Sequence, residues 1–258
     1  MHEKKLTWRE LMLVASLIFG MFFGAGNLIF PVQLGQLSGG HWVLATIGFL
    51  VTGTVVPFLA MLAVSITRSR SVYDVATPVG HWFGLAFLVA IHLTIGPFFG
   101  TPRTAATAFS MGIAPFIAPK YQSLGMLIFS ALFFGLAYFL TVKETGLMKW
   151  VGKYLNPVFM ILLLIVLLMA LFMPMGNTSQ AVSSAYQSHA TFQGLLDGYN
   201  TMDGIALLAV AVSVVYAVRG LGFRDHQVSS VLAKAGLLSI VAEAILYTAL
   251  VLLGVSSL

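Results

Sequence analysis

The stretch "IFGMFFGAGNLIFPVQLG", residues 18–35, decides the fold. It lies in an apolar run long enough to cross a bilayer, which takes about 20 residues. Yet Gly20, Gly24, Ala25, Gly26 and Asn27 occupy its middle, and Pro31 follows. Lipid offers no water to bond exposed backbone groups, so spanning segments are helical. A break is tolerated only where it faces protein or a water-filled site. Two glycines alone would serve equally well as a close-packing face. Asn27 and Pro31 in the same stretch favour an interrupted helix whose break binds something.

The rest of the chain fits a membrane protein. It is 59% hydrophobic and 8% charged, against about 25% charged in soluble domains. There is no cysteine, which excludes disulfides, thiol chemistry and Cys-based metal sites. Seven apolar segments are expected to span, at roughly 10–35, 41–66, 80–112, 122–142, 151–173, 194–218 and 232–256. The first exceeds the length of a signal-peptide core and reads as a retained span. Pro97 and Pro102 bracket Gly100 in the third, which predicts a bend or unwinding there. Trp8, Trp42, Trp82 and Trp150 fall near span ends, as interfacial anchors do.

The thirteen Lys and Arg set the expected orientation. Lys4, Lys5, Arg9, Arg68, Arg70, Lys143, Lys149, Lys153, Arg219, Arg224 and Lys234 all fall on one side; Lys120 falls on the other, and Arg103 lies inside span three. The positive-inside rule then puts the N-terminus in the cytoplasm of a multi-pass protein of the cytoplasmic (inner) membrane. The net charge of +5 is thus a topology signal, with no nucleic-acid partner expected. Residues 173–194 form the one extended external segment, expected to be a solvated loop, with a short helix capping an external vestibule as the alternative.

A second interruption opens span six, in "GLLDGYNTMDGIALL" (residues 194–208). Two broken spans at corresponding places in two halves point to a site between repeats. The start of an outer half-helix aims N–H groups at an anion, and the unwound carbonyls of the inner half suit a cation. Arg103, Asp203 and Glu243 are ionisable residues within spans. Such groups pair, either to fix helix packing or as coupling charges on a pathway; Arg103 with Asp203 or Glu243 is the expected pairing. His92 is expected to be a hydrogen-bonded interior histidine. No nucleophile–base set and no metal-ligand cluster suggests an enzyme, and no nucleotide-binding loop is present.

Three blocks, "FFGAGNLIFPVQLG", "LTIGPFFGTPRTA" and "GYNTMD", together resemble the branched-chain amino acid:cation symporters, the bacterial system II carriers. The resemblance covers essentially the whole chain. It implies a leucine-transporter-like fold of two inverted five-helix repeats with broken first and sixth helices. Residues 1–173 would be the first repeat and 194–258 the first two helices of the second, within one membrane domain. It implies sodium-coupled import of leucine, isoleucine and valine, with no cofactor beyond the sodium ion. Backbone N–H groups of Gly24, Ala25 and Gly26 would hold the substrate carboxylate, with Tyr199, Asn200 and Thr201 contributing from span six. The carbonyls of Gly20 and Phe23 would serve one sodium site; the Phe22 carbonyl and the Asn27 side chain would serve another. That family has about twelve spans and this chain has seven, which predicts a C-terminally truncated form with a missing half. The alternative is a non-transporting membrane fragment or subunit. A seven-span receptor does not fit the charge asymmetry, and a retinal protein would need a lysine within 235–257, where there is none.

Overall fold

The computed structural model describes residues 4–142, 156–172 and 182–257. Among them the regular structure is helical throughout, without strands. In chain order the α-helices are α1 (Trp8–Phe22), α2 (Ala25–Ser38), α3 (Trp42–Leu50), α4 (Val56–Ile66), α5 (Val72–Ala76), α6 (His81–Leu93), α7 (Gly100–Gly112), α8 (Gln122–Val142), α9 (Asn156–Phe172), α10 (Ser184–Gln187), α11 (Ala190–Tyr199), α12 (Asp203–Gly220) and α13 (Asp225–Val255). One compact unit comprises Met1–His92 with Leu167–Leu258; the other comprises Leu93–Val166.

The protein is an all-α polytopic membrane protein. Gly26–Ile66, His81–Phe116, Pro119–Leu140, Ala190–Gly220 and Asp225–Val255 are long and apolar enough to cross a bilayer, and Val158–Met169 is a shorter apolar helix. The 41 residues of Gly26–Ile66 would reach about 60 Å as one helix, twice the hydrocarbon core. The turn at Gly39 (φ 47°) divides them, so α2 continues the first expected span and α3–α4 form the second. Among the described residues each of the seven expected segments contains helix; residues 151–155 and 173 of the fifth lie outside them. Lys143, Lys149, Trp150 and Lys153 lie outside the described residues.

In the first unit, Thr7 and Glu10 open α1 with reciprocal bonds: the Glu10 N–H donates to Thr7 Oγ1 at 3.3 Å, and the Thr7 N–H to Glu10 Oε2 at 3.1 Å. The α1 helix stops at Phe22, Phe23 and Gly24 are extended, and α2 starts at Ala25. A π-helical turn at Val51–Val55 joins α3 to α4. Both α1 and α2 pack on α13, while α11 packs on α3 and α12 on α4. Each broken helix therefore leans mainly on the span that comes after the other broken helix. Val14, Ile18, Met61, Val64, Leu207, Val214, Val218 and Leu232 interlock between α1, α4, α12 and α13.

Helices in lipid gain little from the hydrophobic effect, so close backbone approach matters more. Two contacts here are very close. A Cβ on Gly194 would lie 2.0 Å from the Ala45 carbonyl oxygen, and one on Gly48 would lie 2.0 Å from that of Thr191. On α13, a Cβ on Gly254 would lie 2.1 Å from the Val32 carbonyl oxygen. The α11 helix begins four residues before the expected start of span six, because Gly194 fits inside the helix at this crossing and Ala190 is buried.

In the second unit, the helix ending at Leu93 gives way to a π-helical turn, Thr94–Phe98, with Gly96 non-helical (ψ −113°), before α7 begins at Gly100. A Cβ on Gly100 would lie 2.1 Å from the Ile95 carbonyl oxygen. The expected interruption of span three is therefore present. The α7 and α8 helices meet through Phe109 and Phe129, whose ring centroids are 5.8 Å apart. His92, expected in the interior, is exposed, and its Nδ1 pairs with the Leu88 carbonyl of its own helix at 2.9 Å.

Replacing Gly194 or Gly254 with valine should force the paired helices apart and cost at least about 1–3 kcal/mol of stability. Gly40→Ala meets nothing within 4 Å and should be neutral. Thermal unfolding of the purified variants reads this, and equal melting of Gly194→Val and Gly40→Ala would contradict the close approach.

Candidate functional site

The two breaks in the first unit meet through one side chain. Asn27, on the first turn of α2, is 2% exposed. Its Oδ1 accepts the Gly24 N–H at 3.1 Å, which caps the start of α2 from within. Its Nδ2 donates to Asp203 Oδ2 at 2.5 Å and to the Tyr247 hydroxyl at 2.6 Å. Asp203 is the first residue of α12 and is 6% exposed. A carboxylate there is favoured by the helix dipole. One amide thus joins the start of α2, the start of α12 and the middle of α13.

The second break is built differently. Met202 takes the left-handed conformation (φ 68°, ψ 11°), which is uncommon for a residue with a Cβ and costs roughly 1–3 kcal/mol. Thr201 Oγ1 donates to the Gly198 carbonyl at 2.7 Å, and the Met202 N–H donates to the Tyr199 carbonyl at 3.0 Å. These short-range bonds close the end of α11 before α12 begins.

Aromatic rings and further acids border the junction. The Tyr247 ring stacks with Phe23 (centroids 6.3 Å apart) and meets Phe49 edge-on at 5.4 Å. Glu243, one turn before Tyr247 on α13, is fully buried. Ser239 donates to its Oε1 at 3.1 Å. Asp203 lies within electrostatic reach of both Glu243 and Tyr247.

Of the residues singled out in the sequence, Gly24, Ala25, Gly26 and Asn27 lie at the first break, and Thr201 and Asp203 at the second. Gly20 and Phe22 are in the last turn of α1, and Phe23 is its C-cap. Tyr199 and Asn200 are exposed at the end of α11. Arg103 is half-buried on α7 of the second unit, whereas Asp203 and Glu243 belong to the first.

Sequence reasoning missed Tyr247; a tyrosine one turn from a buried glutamate was the available signal. It also missed how the chain before α11 is held. Of the expected external segment, 173–181 lies outside the described residues; the rest carries the short helix α10, the alternative to a solvated loop, and a buried Tyr186, whose hydroxyl donates to Asp197 Oδ2. The Tyr186 carbonyl pairs with His41 Nδ1 at 3.0 Å, and the Ser183 N–H donates to the Leu37 carbonyl at 3.0 Å. Burial first, and then the bond to Asp197, push the Tyr186 hydroxyl above its ordinary value.

A family model described as "Branched-chain amino acid transport protein" matches residues 7–258. The chain belongs to this family. Among its relatives are a branched-chain amino acid permease BrnQ of Lactobacillus delbrueckii subsp. lactis, 38% identical over 99% of this chain and 58% of that protein, and a permease BraB of Bacillus subtilis, 36% identical over 99% and 57%. A branched-chain amino acid transport system 2 carrier protein of Pseudomonas aeruginosa is 35% identical over 96% of this chain and 56% of its own length. The chain thus spans somewhat over half the length of these relatives. No solved structure matches it.

Asn27→Ala should leave Asp203 and the Gly24 N–H each short of a partner and lower stability by about 1–3 kcal/mol. Tyr247→Phe removes one acceptor and should cost about 1 kcal/mol or less, near the average for hydrogen bonds between membrane helices. Chemical unfolding in detergent compares them; a loss in Tyr247→Phe as large as in Asn27→Ala would contradict Asn27 as the hub.

Proposed function

We propose that the protein is a sodium-coupled symporter that imports leucine, isoleucine and valine across the cytoplasmic membrane, with its N-terminus in the cytoplasm. The observation that carries this reading is the Asn27–Asp203 bond, which joins two interrupted helices at their breaks. The family's name and the names of the relatives support branched-chain amino acids as substrate. Sodium coupling and the N-in orientation rest on the resemblance and the charge asymmetry.

The breaks supply complementary ends. At the start of α2 the Gly24 N–H is taken by Asn27 Oδ1, while the N–H groups of Ala25 and Gly26 have no intrahelical acceptors and suit a substrate carboxylate lying beside Gly24. The last carbonyls of α1, those of Gly20, Phe22 and Phe23, lack intrahelical donors and suit a hard cation that takes oxygen ligands. In this reading Asn27 sets the spacing between the ends, and Thr201, Asn200 and Tyr199 approach from the second break. The aromatic faces of Phe23, Phe49 and Tyr247 give an aliphatic side chain an apolar surface. Discrimination among the three amino acids would be modest, about 1–3 kcal/mol per methylene. The crossed packing, α1 and α2 on α13 with α11 on α3 and α12 on α4, supports an inverted relation between 8–66 and 190–255. In this account Asp203 is the charge through which sodium is felt.

Labelled leucine uptake into vesicles, with a sodium or a choline gradient, tests the coupling. Uptake should rise severalfold with sodium in the wild type, and Asp203→Asn should lose that rise. Equal uptake under both gradients would refute sodium coupling.

A further inference from the structure

Glu243 is the buried group that this transport reading leaves without a task. It lies in the middle of α13, the longest described helix of the first unit, and is 0% exposed. Its Oε1 accepts from Ser239, one turn earlier; its Oε2 is buried with no hydrogen-bond partner among the described residues. We propose that the Glu243 carboxyl is a proton-binding site inside the bundle, holding one proton while it is buried and exchanging it with bulk water as the protein works.

The charges around it argue for this. The elements packed on α13 are α1, α2, α3, α4, the π-helical turn and α12. Of these, α2, α3, α4 and the turn carry no charged residue. The charges of α1, Arg9 and Glu10, lie in its first turn, where Glu10 pairs with Lys4 at 2.6 Å. On α12 the near charge is Asp203; Arg219 lies at the far end, paired with Asp225 at 2.8 Å. On α13 itself His226 and Lys234 are exposed. Asp203 and the Tyr247 hydroxyl are therefore the titratable groups facing Glu243 from these elements.

A carboxylate with one oxygen unbonded in such a place bears the full loss of hydration and the repulsion of a neighbouring carboxylate. The neutral acid removes both, leaving a single hydroxyl to satisfy. The exchange is COOH giving COO⁻ and a proton to solvent, with no electrons moved and no other reactant. Asp203 is also the partner of Asn27, so a cation or substrate arriving at the breaks changes the field at Glu243. That last link rests on the transport reading; the proton itself does not.

Infrared spectroscopy of the purified protein tests the proposal through the C=O band of a protonated carboxylic acid shielded from water. The wild type should show this band at neutral pH and lose it reversibly in alkali. Glu243→Gln should lack it, Glu243→Asp should keep it at a displaced position, and Asp203→Asn should retain it. The Asp variant guards against loss of fold in the Gln variant. A wild type without the band, or a band that survives Glu243→Gln, overturns the proposal. Labelled leucine binding to the same samples separates the two readings: a wild type that shows the band and binds no leucine removes the transport reading and upholds the proton site.

Discussion

A helix broken in an apolar medium must find partners for the backbone groups it releases, and here one amide side chain takes the Gly24 N–H and ties the break to two other helices. Asn27 returns its oxygen to Gly24 at the start of its own helix and spends its two amide hydrogens on Asp203 and Tyr247. Both acceptors come from more than 170 residues downstream. An unpaired amide or carboxylate here would cost about as much as a small membrane protein can spare. The packing of α1, α2, α12 and α13 therefore has to hold these groups in register.

That register comes from close backbone contact. At Gly48 and Gly194, and at Gly254 against Val32, helices touch with no room for a side chain. Such contacts leave little slack for sliding, so motion at the breaks would have to involve rigid helix pairs. The left-handed Met202 before Asp203 is strain of the kind that clusters where a backbone does functional work. The first break relies on a side-chain bond and the second on backbone strain and Thr201.

Much of this was legible in the sequence because lipid makes strong demands on it. Long apolar runs marked the helices, to the residue for Gln122–Val142, and Gly-Ala-Gly-Asn marked the first break because nothing in lipid tolerates it idly. Asp203 and Glu243 were legible as buried for the same reason. What was not legible depends on which faces meet. Tyr247 is one of eight tyrosines and becomes special only because α13 lies against α2. The Gly194–Gly198 spacing resembles many others, and its value appears only at the crossing with α3. Tyr199 and Asn200 sit beside the break in sequence, yet the turn directs them outward, whereas Thr201 next to them is buried.

The central claim is that substrate binds where the first helix is interrupted. The chain has no cysteine, so a single introduced thiol reports without background. Gly24 is exposed and extended, and a Cβ there meets only Asn27 Oδ1 at an ordinary 3.5 Å. The rate at which a water-soluble thiol reagent labels Gly24→Cys should fall severalfold when leucine and sodium are added. It should not fall with lysine, and Gly40→Cys should not respond to either. A Gly24→Cys labelling rate unchanged by saturating leucine would contradict the account.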